Sequence, residues 1–74
     1  MARQTVSVIR RDGGWAVEHQ RRTLATYPHQ EQAIAHARLH GHDLWDHGQA
    51  CEVLVYEATG RARPECAYGG DGRA

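Results

Sequence analysis

The sequence contains no lysine, no asparagine and no phenylalanine, and only two cysteines and two prolines among 74 residues. Each absence excludes something. Nine arginines balance nine acidic residues, so the formal net charge is zero and there is no global positive field to hold nucleic acid or anionic lipid without specificity. Any contact with a polyanion therefore has to be local. No apolar run approaches the ~18 residues that a membrane-spanning helix needs, so no membrane is expected as a partner. Residues 1–5 lead into a strand pattern rather than an apolar leader, and the expected location is the cytoplasm. Two cysteines are too few for a secreted disulfide scaffold. The missing lysine and asparagine fit a GC-rich bacterial or phage coding sequence. A chain this short removes only ~60 to 65% of its unfolded surface from water, enough for one core. One small domain over residues 1–74 is expected, with 69–74 as a flexible tail, and a large enzyme is excluded.

What is present is period and punctuation. Residues 5–10 alternate Val6 and Val8 against Ser7 and Ile9, and Trp15, Val17 and their neighbours alternate again after Asp12-Gly13. That is a hairpin with a tight two-residue turn, which sets Val8 opposite Val17 and Arg10 opposite Trp15 and places Val6, Val8, Trp15 and Val17 on one face. Residues 20–28 read as a connector or short irregular strand, because Pro28 disfavours helical geometry at Tyr27. From His29 the apolar positions take helical spacing through Ala33, Ile34 and Ala37, with Gln32 in a weak capping position. Gly41 is the expected stop or kink; a helix that tolerates it runs on through Leu44 and Trp45 to Gly48. Cys51–Tyr56 is a strong strand, and residues 61–68 form a second, marked as an edge by Pro64. The expected class is α+β: β-β-α-β-β, an antiparallel sheet with one helix packed on one face.

Several segments are similar to a known bacterial family. These are Asp12-Gly13-Gly14-Trp15-Ala16-Val17, Gln30-Glu31-Gln32-Ala33-Ile34-Ala35-His36-Ala37-Arg38, Glu52-Val53-Leu54-Val55-Tyr56, Thr59-Gly60-Arg61 and Tyr68-Gly69-Gly70-Asp71. Together they resemble the domain of unknown function 2188 family over nearly the whole chain. The shared features are turns and a helix face rather than a chemical motif. The resemblance implies a fold and carries over no activity and no site residue.

The chemistry-bearing residues are histidine, cysteine and arginine. On an unbroken helix His29, His36, His40 and His47 fall within about 40° of one another. His36 and His40, spaced i, i+4, are the candidate metal ligands, with Asp43 one turn on. A polar stripe opposite an apolar one is also what any surface helix shows, and no cofactor is expected. Cys51 and Cys66 share a face. They sit directly opposite if Ala58-Thr59 forms the loop and diagonally if Thr59-Gly60 does, and in a reducing compartment both serve as small apolar side chains. No motif for acyl transfer or phosphate binding is present, so no catalytic residue, no small-molecule substrate and no enzymatic activity are expected.

Arg10, Arg11, Arg21, Arg22, Arg61 and Arg63 are the candidate nucleic-acid contacts. Arg61, Arg63 and Glu65 are expected on the face of the last strand turned away from the cysteines. The sheet's second face carries Ile9, Ala16, Leu54 and Tyr56 among Thr5, Ser7, Glu18 and Glu52, more apolar than a solvated face needs. Ile9, Leu54 and Tyr56 are the candidate protein-interaction residues. The leading expectation is thus a non-catalytic module that binds another protein through a sheet face or edge, as a homodimer. The alternative is a nucleic-acid-associated accessory protein using its arginine-bearing hairpins, borne by a phage or mobile element, including an inhibitor of a host defence complex.

Overall fold

The computed structural model describes residues 3–57 and 59–68. Six elements follow in order: β1 (Gln4–Arg11), β2 (Gly14–His19), β3 (Arg22–Tyr27), α1 (Gln30–Asp46), β4 (Cys51–Tyr56) and β5 (Ala62–Tyr68). The class is α+β, with one helix on one face of a five-stranded sheet ordered β3-β2-β1-β4-β5. The expected tail over residues 69–74 lies outside the described residues.

The first hairpin has the expected register, with Val8 facing Val17 and Arg10 facing Trp15. Asp12 and Gly13 both have positive φ, +50° and +79°, as a primed turn requires. The segment after it differs from expectation. Residues 22–27 form a full strand, β3, paired antiparallel to β2 from Trp15↔Tyr27 to His19↔Arg22. Gln20 and Arg21, at φ +54° and +66°, make its turn without glycine or asparagine. Leu24 is an extra residue between the Thr23 and Ala25 pairings, so the strand's alternation is broken where a reader of the sequence looks for it.

This third strand also changes the sheet from all-antiparallel to mixed. β1 and β3 run the same way, the helix carries the chain back, and β4 therefore enters beside β1 parallel to it, with Val6 next to Val53 and Val8 next to Val55. A β-β-α-β-β chain would have delivered that strand antiparallel.

The helix runs unbroken through Gly41, contrary to the expected kink. Gly41 is fully covered, and a Cβ there would lie 3.1 Å from the Tyr68 ring and 3.2 Å from Cys51 Sγ. The glycine lets the helix approach the sheet and does not stop it. The stop is Gly48 at φ +83°. Its N–H donates to the Trp45 carbonyl at 2.8 Å while the Gln49 N–H reaches the Leu44 carbonyl at 2.9 Å, the paired bonds of a Schellman cap. At the other end His29 gives no side-chain cap, and the expected Gln32 capping contact is only its backbone N–H on the His29 carbonyl.

Val6, Val8, Val17, Ala33, Ala37, Val53 and Val55 form the fully buried core, with Trp15, Tyr27, Ile34, Leu44 and Cys66 packed around it. Small helix residues meet valines from three central strands. Burying each valine contributes on the order of 1.5 kcal/mol, so a fully buried set of five valines and two alanines makes a thin core.

Candidate functional site

The helix covers one face of the sheet, and among the described residues no element lies over the other. Alternation along β1, β2 and β4 sends Ile9, Ala16, Leu54 and Tyr56 to that open face, opposite the buried valines. Cross-strand pairing assembles them into two rows. Thr26, Ala16 and Ile9 are successive partners across β3, β2 and β1, and Tyr56 pairs with Ala62. Ser7, Leu54 and Pro64 are successive partners in the next row. Ile9 and Tyr56 meet in a shallow groove of about 450 Å³ completed by Arg10, Glu57 and Gly60. Ile9, Leu54 and Tyr56 are half-buried by their neighbours, and Ala16 is fully covered. The three interaction candidates thus converge on one end of one face.

The charges on this face are internally paired. Glu18 takes Arg11 at 3.0 Å and the Thr23 hydroxyl at 3.2 Å. Glu52 takes Arg3 at 3.6 Å and the Thr5 hydroxyl at 3.3 Å. The Arg11–Glu18 pair runs alongside the Ile9–Ala16 pair rather than beyond it, so a partner docking here meets a charge pair that is already satisfied within the chain.

The arginines divide. Arg21 and Arg22 lie at the β2–β3 turn, whereas Arg10, Arg11 and Arg61 lie at the opposite end, where β1 and β4 finish. Arg10 lies 5.6 Å over the Trp15 ring. Arg63 is held by Glu57 at 3.1 Å and Glu65 at 3.0 Å, contacts that raise its pKa further, Glu65 foremost. Arg63 also changes face relative to expectation. Pairing slips by one residue between Val53↔Cys66 and Leu54↔Pro64, so Arg63 stands opposite Val55, on the helix side with Cys66.

His36 and His40 turn to different partners. The Tyr27 hydroxyl and His36 Nδ1 share a hydrogen bond of 2.7 Å, and His40 Nε2 meets His19 Nδ1 at 3.2 Å. Among the described residues no group of three or more His, Cys, Asp or Glu is gathered for a metal. The sequence reading passed over His19, although it shares the parity of Trp15 and Val17 and must face the helix. Burial, and then the neighbouring His40, lowers its pKa. At the helix end His47 Nδ1 donates to the Asp43 carbonyl at 2.8 Å, which raises the pKa of this exposed imidazole.

Cys51 and Cys66 are free thiols in the diagonal arrangement, since Cys51 pairs with Tyr68 and Cys66 with Val53. Cys51 is fully buried and donates to the Gly41 carbonyl at 3.1 Å. Burial chiefly, with Cys66 second, pushes its pKa up.

The family model for an uncharacterised protein conserved in bacteria, domain of unknown function 2188, matches residues 4–68, from the first residue of β1 to the last of β5. The chain belongs to this family. The match covers every element of the sheet, so the parallel β1–β4 seam and the uncovered face lie wholly inside the domain of unknown function 2188 unit. No curated protein and no solved structure matches the chain.

Proposed function

We propose that this member of the domain of unknown function 2188 family is a non-catalytic protein-binding module of the cytoplasm that docks through its open sheet face, first of all onto a second copy of itself. The observation that carries this reading is the apolar end of that face, where Ile9, Leu54 and Tyr56 converge with no element over them among the described residues. Two features support it. The core beneath is small, so additional buried area stabilises the domain, and the charges bordering the patch already have partners within the chain. Among the described residues no helix is long and apolar enough to cross a membrane.

Light scattering on a size-exclusion column tests it. A mass of twice the 8.3 kDa chain at high micromolar concentration, reverting to one chain in Leu54→Asp with unchanged circular dichroism, is the expected result. A single-chain mass at every concentration overturns self-association.

A nucleic-acid role is the second reading, favoured by the grouping of Arg10, Arg11 and Arg61 at the apolar end of the sheet. It is the weaker reading, because Arg11 is already paired with Glu18 and the net charge is zero. A duplex titration at two salt concentrations decides it, and an absence of salt-dependent binding ends it.

A further inference from the structure

On the helix side of the sheet, away from the proposed docking face, His19 and His40 form a pair that nothing above assigns to a function. We propose that they bind one borderline divalent transition-metal ion of the zinc class between His19 Nδ1 and His40 Nε2.

The hydrogen-bond chain fixes the chemistry of the pair. Gln20 Nε2 donates to Gln4 Oε1 at 3.2 Å, so that oxygen is an acceptor. His19 Nε2, 2.9 Å from the same oxygen, must then carry the proton and donate. In the neutral ring this leaves His19 Nδ1 as a bare lone pair, and His40 Nε2 faces it at 3.2 Å. A neutral imidazole whose second nitrogen donates to a fixed oxygen is how metal-ligating histidines are oriented. The two ring centroids lie 5.0 Å apart with the planes at 65°.

Distance supports one shared ion. Two nitrogens 3.2 Å apart, each about 2.05 Å from a common ion, subtend an angle of about 100°, near tetrahedral. Each lone pair has to tilt by about 40° from the present N···N line to reach that point. His40 is free to make most of the adjustment, because it lies on an open groove along the helix with His36, Leu39 and Asp43. On binding, His40 moves its proton from Nε2 to Nδ1, and the ion takes the place of the hydrogen bond with no net proton released. With no third His, Cys, Asp or Glu gathered there among the described residues, water fills the remaining positions. Affinity is therefore weaker than that of a structural zinc site with four protein ligands.

The natural competitor is the helical pair His36 and His40 at i, i+4. In it His36 Nδ1 is engaged by Tyr27, which leaves only its Nε2 for an ion. Calorimetric titration of the untagged protein with Zn²⁺ at neutral pH separates the two. One ion per chain is expected, with affinity falling about tenfold or more in His19→Ala and His40→Ala and changing less than about twofold in His36→Ala. Gln4→Ala, which leaves both ligands, is expected to weaken binding about tenfold by freeing the His19 ring. Should His19→Ala unfold, His19→Gln serves, and a zinc-dependent shift of His19 Nδ1 in ¹⁵N spectra gives an independent readout. Absence of binding, or loss in His36→Ala with His19→Ala unaffected, overturns the assignment.

Discussion

At the residue scale, Gly41 shows how a single missing methyl group sets the distance between two layers. The helix would gain about 1 kcal/mol from alanine by propensity. The added Cβ would press the Tyr68 ring at 3.1 Å and Cys51 Sγ at 3.2 Å, and overpacking of that kind costs about 1 to 3 kcal/mol. Gly41→Ala is therefore expected to lower stability by about 1 kcal/mol, read from denaturant midpoints. Its neighbour Cys51 makes a second prediction. The buried thiol has its pKa raised above the ordinary 9.0, so the folded chain holds a proton that the unfolded chain releases. Its contribution is complete below pH 9.0 and is lost as pH rises past it. Tyr68, raised mainly by burial and then by Cys66, adds a loss of the same sign above 10.0. Unfolding midpoints should fall as pH rises above about 9 and fall further above about 10, and the first part of that fall should be smaller in Cys51→Ala. Under native conditions a thiol reagent should modify half-buried Cys66 first, with Cys51 reacting only on unfolding.

At the element scale, the contrast between the first two turns explains what could be read and what could not. Asp12-Gly13 announces its hairpin because those residue types accept positive φ. Gln20 and Arg21 adopt the same region without the residue types that advertise it. Residues 20–28 therefore read as a connector or a short irregular strand, and the extra Leu24 breaks the alternation that marks a full strand. Holding Arg21 at φ +66° costs free energy that glycine does not pay. Arg21→Gly is expected to raise stability by about 0.5 to 1 kcal/mol, measured by thermal or denaturant unfolding, despite the looser unfolded chain. The slipped pairing in β5 has the same character, since one extra residue moved Arg63 to the helix side. The helix stop was placed wrongly because two glycines competed for it. Gly48 takes the left-handed position of the cap, whereas Gly41 sits in ordinary helical geometry against Tyr68 and Cys51.

At the scale of the whole molecule, the parallel seam between β1 and β4 joins a three-strand meander to a two-strand hairpin, and the helix lies over the join. All the fully buried side chains of the core cluster belong to β1, β2, β4 and the helix, so this seam is where stability concentrates. Val53→Ala is expected to cost about 2 kcal/mol, with a single cooperative transition retained, read by calorimetry. If the open face pairs two copies, dissociation precedes or accompanies unfolding. The midpoint temperature should then rise with protein concentration in the wild type and become concentration-independent in Leu54→Asp.

Alternation and turn chemistry along the chain determined the first hairpin, the strand character of β4 and β5, the valine core and the apolar second face holding Ile9, Leu54 and Tyr56. These are local properties, written in residues two or four positions apart. Tertiary structure alone decided the rest: a third strand on an unadvertised turn, the parallel entry of β4 that follows from it, the use of Gly41 as a close contact, the separation of the arginines to two ends, and the meeting of His19 with His40. The third strand rests on a turn whose residue types do not announce it, and the others depend on residues distant in sequence coming within a few ångströms, a proximity that has no period along the chain.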